Sequence, residues 1–180
     1  MQPNHSQPNH FESAHLRSSF FKTETVCCNE SSHSFQVGGV TSFGDLGKIG
    51  IPDAVLLKPG RLTPPELSLM QQHPEIGERL CASLHTLVDV RPIIRSHHER
   101  LDGSGYPDGL RGDAVPHLAQ IVGIVDVYDA LTSRRPFREA MTLDQAAQHL
   151  HDEVEKGRFS RQYVEAFLQL VNARQSTLTS

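Results

Sequence analysis

Two adjacent histidines, His97 and His98, are the residues of this 180-residue chain best placed to do chemistry. Val90, Ile93 and Ile94 precede them at the spacing of one helix face, which predicts that both imidazoles point toward the core. Burying two imidazoles is costly unless a partner accepts their lone pairs, and a metal ion is such a partner. From the pair alone, partly exposed and hydrogen-bonded histidines are the favoured interpretation, and only further candidate ligands can reverse it.

Four further side chains with metal-ligating groups lie on or beside the predicted helices, and they are His73, Asp45, Asp126 and Asp129. Imidazole with carboxylate is typical of hydrolytic iron, manganese or zinc sites, whereas magnesium and calcium prefer oxygen ligands alone. Asp126 lies in the apolar run 121–127, where an unpaired carboxylate would be expensive. Asp126 and Asp129 could instead cap loops or pair with Arg134 and Arg135, and His73 could simply precede a helix-starting Pro. For each residue alone that interpretation is favoured; together the residues favour a metal site.

Three cations flank these candidate ligands in sequence, namely Lys48, Arg134 and Arg135. The guanidinium group matches phosphate geometry well. A metal ion, a carboxylate and an arginine together fit phosphoester hydrolysis. The alternative is an ordinary solvated face or salt bridges at a helix C-terminus, and the residues alone leave the two interpretations about even.

Helix signals run from Phe43 nearly to the end of the chain, and strand alternation is absent, so the sequence predicts an all-α bundle. Capping boxes at 63–66 and 142–145 predict two helix starts. Pro74 should break or kink the first of these helices and separate it from a second helix through 76–84. A glycine-rich loop is expected over 102–116, after the paired histidines.

Helical periodicity also predicts which side of the later helices faces the core. On the helix after the loop, the predicted inward residues are Leu118, Ile121, Val122, Val125 and Asp129. On the next helix they are Leu143, Ala147, Leu150 and Val154. On the last helix they are Tyr163, Ala166, Phe167, Leu170 and Val171.

Residues 1–43 differ in composition from the rest of the chain. The tetrapeptide Gln-Pro-Asn-His occurs at 2–5 and again at 7–10, and Ser-, Asn- and Thr-rich sequence follows. Sparse apolar residues without a helical period predict a poorly ordered, low-complexity segment. We therefore expect three parts: this segment (1–43), a helical domain (44–174) and a short tail (175–180).

Composition excludes several function classes. A net charge of −4 with a pI near 6.2 provides no basic field for a nucleic acid polymer. The cysteines (Cys27, Cys28 and Cys81) form no disulfide framework, which suits a reducing compartment. No apolar run approaches the roughly 20 residues of a membrane span, and no signal peptide opens the chain, so a cytoplasmic protein without a membrane partner is predicted.

The stretch from Asp45 to Phe167 resembles the HD-GYP domain, a branch of the HD-domain metal-dependent phosphohydrolases. The motifs that carry the resemblance appear in family order at 45–53, 57–60, 70–77, 97–110 and 126–136. The resemblance implies an HD-domain-like helical bundle with a glycine-rich Gly-Tyr-Pro loop.

The resemblance further implies a phosphodiesterase that hydrolyses cyclic di-GMP to a linear dinucleotide or GMP with two or three divalent metal ions, iron or manganese. The implied metal ligands are Asp45, His73, His97, His98 and Asp126. Asp45, as a bridge between metals, and Lys48 are the implied catalytic residues. Lys48 and Arg135 would contact phosphate, and Tyr106 would shape the nucleotide site.

This sequence departs from the family pattern at its first motif, because Gly44-Asp45 stands where the family has His-Asp. The helix that supplies further ligands upstream is not recognisable in 1–43, and Phe159-Ser160-Arg161 replaces Phe-Asp-Pro. We therefore expect fewer metal ions than the family's two or three, and impaired hydrolysis. The alternatives are a non-catalytic module that binds cyclic di-GMP or, through the Gly-Tyr-Pro loop, a signalling partner, and a truncated or rearranged gene product, which is compatible with either.

Overall fold

The computed structural model describes residues 44–134 and 139–178, and helices are its main elements. The α-helices are α1 (Asp53–Leu56), α2 (Pro64–Met70), α3 (His73–Leu80), α4 (Arg91–Ser96), α5 (His117–Thr132), α6 (Leu143–Glu155) and α7 (Arg161–Leu178). Three 3₁₀ turns accompany them at Asp45–Gly50, His85–Leu87 and Gly112–Ala114. Within the described residues, β pairing is limited to one bridge between Asp102 and Arg111. The all-α prediction is confirmed.

Both predicted capping boxes are present. The Glu66 carboxylate accepts hydrogen bonds from the Thr63 backbone N–H at 2.7 Å and from the Thr63 hydroxyl at 2.8 Å. At the start of α6, Thr142 Oγ1 accepts from the Gln145 N–H, and the Gln145 side chain accepts from the Thr142 N–H. A hydrogen bond from Lys58, together with those from Thr63, lowers the pKa of Glu66 to about 2. Local sequence therefore fixes these two helix starts.

Pro74 separates two helices, as predicted, and it does so at the start of the second one. It occupies the second position of α3, where a missing N–H costs nothing, and a short turn at 71–72 separates α3 from α2. The helix then ends at Leu80, so the expected continuation to Leu84 is wrong. Leu80 and Leu84 are half exposed, and the fully buried Cys81 takes the inward position instead.

The main core lies between α5, α6 and α7. It contains Ile124, Val127, Leu131, Ala146, Leu150, Phe159, Val164 and Leu168. A smaller cluster of Ile93, Ala119 and Val122 joins α4 to α5. The long helix α5 thus packs against neighbours on two sides and holds the carboxyl end of α4 against the bundle.

The predicted inward faces of the last three helices are only partly correct. On α5, Leu118 and Asp129 are exposed, whereas Ala119 and Val127 are buried. The reason is that α5 is apolar on nearly all sides, so periodicity does not single out one face. On α7 the buried positions are Val164 and Leu168, whereas Ala166 and Leu170, predicted to face inward, are exposed. On α6, Leu150 is buried as expected while Leu143 is exposed.

The first 3₁₀ turn lies directly against α3, and Gly47 makes this contact possible. A Cβ atom at Gly47 would overlap the carbonyl oxygen of His73 and lie 2.5 Å from the Gly77 nitrogen. Both neighbours are backbone atoms, which cannot move away by a change of rotamer as a side chain can. The contact sets the distance between the turn that carries Asp45 and the helix that begins at His73.

Replacing Gly47 with alanine should therefore destabilise the protein by at least about 3 kcal/mol, because backbone must move to admit the methyl group. Urea unfolding followed by circular dichroism measures the change. Gly157→Ala is the matched control: its Cβ meets nothing within 4 Å, and only its φ of +73° is unfavourable, costing about 1–2 kcal/mol. Equal losses for the two variants would contradict the close approach at Gly47.

Candidate metal centre

Three buried imidazoles come together where α3 begins and α4 ends. His73 is the first residue of α3, and His97 and His98 follow the last residue of α4. Their ring centroids are 5.5 Å apart for His73–His97, 5.0 Å for His73–His98 and 4.1 Å for His97–His98. One ligand nitrogen of each ring lies within 4.8 Å of the others. The predicted burial of the histidine pair is confirmed, since both residues are under 7% exposed.

Backbone hydrogen bonds decide which nitrogen of His73 and His97 faces the cluster. Nδ1 of His73 lies 2.9 Å from the Met70 carbonyl oxygen, and Nδ1 of His97 lies 2.7 Å from that of Ile94. A carbonyl only accepts, so each Nδ1 must donate its proton and each Nε2 keeps a free lone pair. Both Nε2 atoms are buried and have no hydrogen-bond partner among the described residues.

Two orphaned lone pairs in a buried cluster are costly, and a divalent ion would satisfy both. The side chains therefore fit a metal ion by the chemistry of their donor atoms. Imidazole lone pairs favour a transition metal over magnesium or calcium. His73, His97 and His98 supply three such donors.

Their surroundings keep His73 and His97 neutral, as ligation requires. Burial, followed by the nearby His97 and Lys48, lowers the pKa of His73 to about 3. Burial also lowers the pKa of His97, although Asp126 and Asp45 oppose it. At neutral pH the buried rings are thus in the state that binds metal.

Asp45 and Lys48 lie at the edge of the imidazole cluster, on the first 3₁₀ turn. Asp45 Oδ1 is 4.0 Å from His73 Nε2 and 2.6 Å from Lys48 Nζ. Lys48 is only 4% exposed, so its ammonium group lies inside the site rather than on the surface. Asp126, on α5, is half-buried and close enough to His97 to raise the pKa of that ring. The group whose ligand atoms lie within 4.8 Å of one another consists of the three histidines and includes neither Asp45 nor Asp126.

The loop tyrosine covers the histidines. The Tyr106 ring stacks on His98 with centroids 4.7 Å apart at 25°, and it lies 6.4 Å from the His73 ring. The Tyr106–Pro107 peptide bond is cis. The structure thus brings Tyr106 to the predicted site.

The remaining candidates lie elsewhere. Arg134 is exposed and pairs with Glu139 at 3.4 Å. Asp129 accepts a hydrogen bond from the Ser133 hydroxyl at the exposed end of α5, in agreement with the loop-capping interpretation. Arg135, the predicted phosphate contact, lies outside the described residues.

Gly44 borders the imidazole cluster. It is buried, and a Cβ atom built on it would lie 3.2 Å from Nε2 of His97. Any side chain at this position would therefore start against the free lone pair of that ring. The departure from the family motif falls next to the candidate metal ligands.

Sequence reasoning missed Glu99, which is buried directly after the histidine pair. Its carboxylate accepts hydrogen bonds from the backbone N–H groups of Asp108, Gly109 and Leu110 at 2.7–3.1 Å. It also missed Arg95, which binds both carboxylate oxygens of Asp108. The signal available in the sequence was the position of Glu99, an acidic residue that follows the two histidines and precedes a glycine-rich loop with many backbone N–H donors.

Comparison with known proteins identifies the family. The family model described as "HD domain" matches residues 29–162. The chain belongs to the HD-domain family, and its sequence-based identification as an HD-GYP domain is confirmed.

Named relatives share this region. The chain is 51% identical over 127 residues to the cyclic di-GMP phosphodiesterase response regulator RpfG of Xanthomonas campestris, an alignment covering 69% of this chain and 33% of the relative. It is 44% identical over 128 residues to a cyclic di-GMP phosphodiesterase of Thermotoga maritima, covering 70% and 34%. The chain thus spans about a third of the length of these curated relatives.

A solved structure supports the fold. An HDG"Y"P protein from Bdellovibrio bacteriovorus superimposes with a TM-score of 0.53 at 23% identity, covering 74% of this chain and 50% of the other. In the part of the chain that the structure describes, none of the helices combines the length and apolar character needed to span a bilayer.

Metal analysis tests the cluster directly. We expect the purified chain, incubated with Mn²⁺ and desalted, to retain metal, and His97→Ala to lose at least about 100-fold in affinity, because removing a direct ligand costs more than an outer contact. His85→Ala is the control, since His85 is exposed on a separate 3₁₀ turn. Equal retention by His97→Ala, or none by the parent chain, would contradict the metal centre.

Stability of the metal-free chain should depend on pH. Between pH 6.5 and about 3, the unfolded chain binds a proton at His73 that the folded chain excludes. The free energy of unfolding therefore falls as pH decreases from 6.5, by up to about 1.4 kcal/mol per pH unit for each such histidine. Above pH 6.5 this contribution is fully present.

Urea unfolding with chelator at pH 7.5, 6 and 5 measures this slope. His73→Gln should reduce it, whereas His85→Asn should leave it unchanged. Identical slopes for the parent and His73→Gln would show that His73 is not buried in its neutral form.

Proposed function

We propose that this chain is a metal-dependent phosphodiesterase that hydrolyses cyclic di-GMP to a linear dinucleotide or GMP, with impaired turnover. The observation that carries the proposal is the set of buried imidazoles with orphaned Nε2 atoms on His73 and His97. The names of the relatives support the substrate class.

We assign metal binding to His73, His97 and His98, with Asp45 and Asp126 as carboxylate donors. A bound iron or manganese ion would polarise a phosphoryl oxygen and make water a stronger nucleophile at neutral pH. Lys48 would offset phosphate charge from inside the site, and its ion pair with Asp45 holds its ammonium group there. We assign the second phosphate contact to Arg135.

Tyr106 would position the nucleotide. Its ring already stacks on His98, so one face is occupied and the ring is oriented before substrate arrives. Such preorganisation avoids an entropy cost on binding. The base or sugar of the nucleotide would pack beside the ring.

Gly44 supports the expectation of impairment. Glycine has no side-chain donor, and its Cα–H faces the His97 ring where the family supplies an imidazole. We therefore expect fewer ions than the family's two or three. The same observation favours the second candidate, a catalytically inactive module that binds cyclic di-GMP or, through its Gly-Tyr-Pro loop, a signalling partner, because Tyr106 and its loop are complete.

Hydrolysis by the Mn²⁺- or Fe²⁺-loaded chain separates these functions. We expect slow conversion of cyclic di-GMP, measured by chromatography of the products. His97→Ala should abolish this conversion and His85→Ala should preserve it. Calorimetric binding without any turnover would favour the inactive module. Rapid turnover would refute impairment. A metal-loaded chain that neither binds nor hydrolyses cyclic di-GMP would refute both functions that involve this nucleotide.

Restoring the imidazole tests the role of Gly44. Gly44→His should improve metal retention without restoring rapid turnover, because a second ion needs more ligands than position 44 alone supplies. Gly44→Ala is the control: it adds the Cβ atom 3.2 Å from His97 Nε2 but no donor. Full activity of Gly44→His would show that this one residue accounts for the impairment.

A further inference from the structure

We infer that Glu99 is a positioning residue for the candidate site: its buried carboxylate fixes the loop turn 108–110 and thereby holds the Tyr106 ring on His98. Its relevance to catalysis rests on the function proposed above. The placement of Tyr106 by Glu99 does not, and it is tested separately.

The first observation is that hydrogen bonds from the loop backbone compensate the buried charge of the Glu99 carboxylate. Glu99 is 3% exposed. Its Oε1 accepts from the N–H groups of Asp108 at 2.7 Å and Gly109 at 3.1 Å, and its Oε2 accepts from Leu110 at 2.9 Å. Three converging amides offset the cost of burying a carboxylate, and bonds to a charged acceptor are stronger than neutral ones. The side chain thus closes the loop 99–110 on itself.

The second step is how this closure reaches Tyr106. Between the two ends of the closed loop, Gly105 lies on the backbone of 98–100, where a Cβ atom would overlap Glu99 Cα and Arg100 N. The Tyr106 N–H then donates to the His98 carbonyl at 3.4 Å. The chain is thus held on both sides of Tyr106, which fixes the backbone from which its ring stacks on His98.

A second, outer contact holds the same turn. Arg95 donates to both carboxylate oxygens of Asp108, at 2.7 and 2.8 Å, and also to Glu78 at 2.9 Å and Glu75 at 3.3 Å. Asp108 is exposed, so this pair contributes less than the buried carboxylate. Glu99 is the inner and dominant restraint, and Arg95 the outer one.

Ring-labelled tyrosine NMR tests the placement without activity or metal. The chain has three tyrosines, and Tyr106→Phe assigns the Tyr106 signals, which stacking on His98 should shift. In Glu99→Gln an NH₂ group replaces one acceptor oxygen and faces a backbone donor. We expect the stacking shift of Tyr106 to fall by at least half, while Tyr128 and Tyr163, which contact Phe167 and His117, keep their shifts.

Glu153→Gln is the matched control, since Glu153 is also a buried carboxylate but bonds Lys156 and Arg158. An unchanged Tyr106 shift in Glu99→Gln, or an equal loss in Glu153→Gln, would overturn the inference. If Tyr128 and Tyr163 show that Glu99→Gln does not fold, Glu99→Asp provides the test: its shorter side chain should give a partial loss, and no loss would overturn the inference. Asp108→Asn should give a smaller loss than Glu99→Gln.

Kinetics then separate positioning from general structure. If the chain turns over cyclic di-GMP, Glu99→Gln should lower kcat/KM about tenfold or more with unchanged metal content, and Glu99→Asp should recover part of it. Unchanged kinetics in a variant that has lost the stacking shift would overturn the catalytic part. Absence of turnover in every variant refutes the proposed activity and leaves the NMR result to decide the placement.

Discussion

Two hydrogen bonds from ring nitrogens to backbone carbonyls determine how this centre is built. His73 and His97 each bond the carbonyl three residues earlier in the chain, and this fixes the tautomer and the orientation of both rings. Neither ring can rotate without leaving a buried N–H unpaired. Local backbone geometry therefore leaves both Nε2 atoms buried with their lone pairs free, and the surrounding residues keep these atoms from water.

The sequence predicted those features that depend on neighbours in the chain. The histidine pair, both capping boxes and the order of helices follow from spacing over a few residues. The inward faces of α5 and α7 could not be predicted in this way. Helix α5 packs on two sides, so its tertiary neighbours determine which of its apolar positions are buried. The separation of two helices at Pro74 was predicted, but the end of the second helix at Leu80 was not.

The site shows the same division. His73, His97, His98 and Tyr106 meet as the motifs predicted, but nothing in the spacing indicated that Lys48 would be buried against Asp45. The partners of Glu99 lie 9 to 11 residues away in an irregular loop, where no period applies. Position 44 was recognised from the motif alone, and the structure adds the reason it matters: its missing Cβ faces the His97 ring.

The two restraints on the Gly-Tyr-Pro loop lie in different electrostatic environments. The side chains of Arg95, Asp108 and the glutamates of α3 are 23–39% exposed, so mobile ions screen their attraction over about 8 Å at physiological ionic strength. The Glu99 carboxylate is enclosed and is screened far less. A rise in ionic strength therefore weakens the ion pairs of Arg95 at the outer surface of the loop, while Tyr106 keeps its position on His98. The outer surface of the loop can thus move without displacing the histidines.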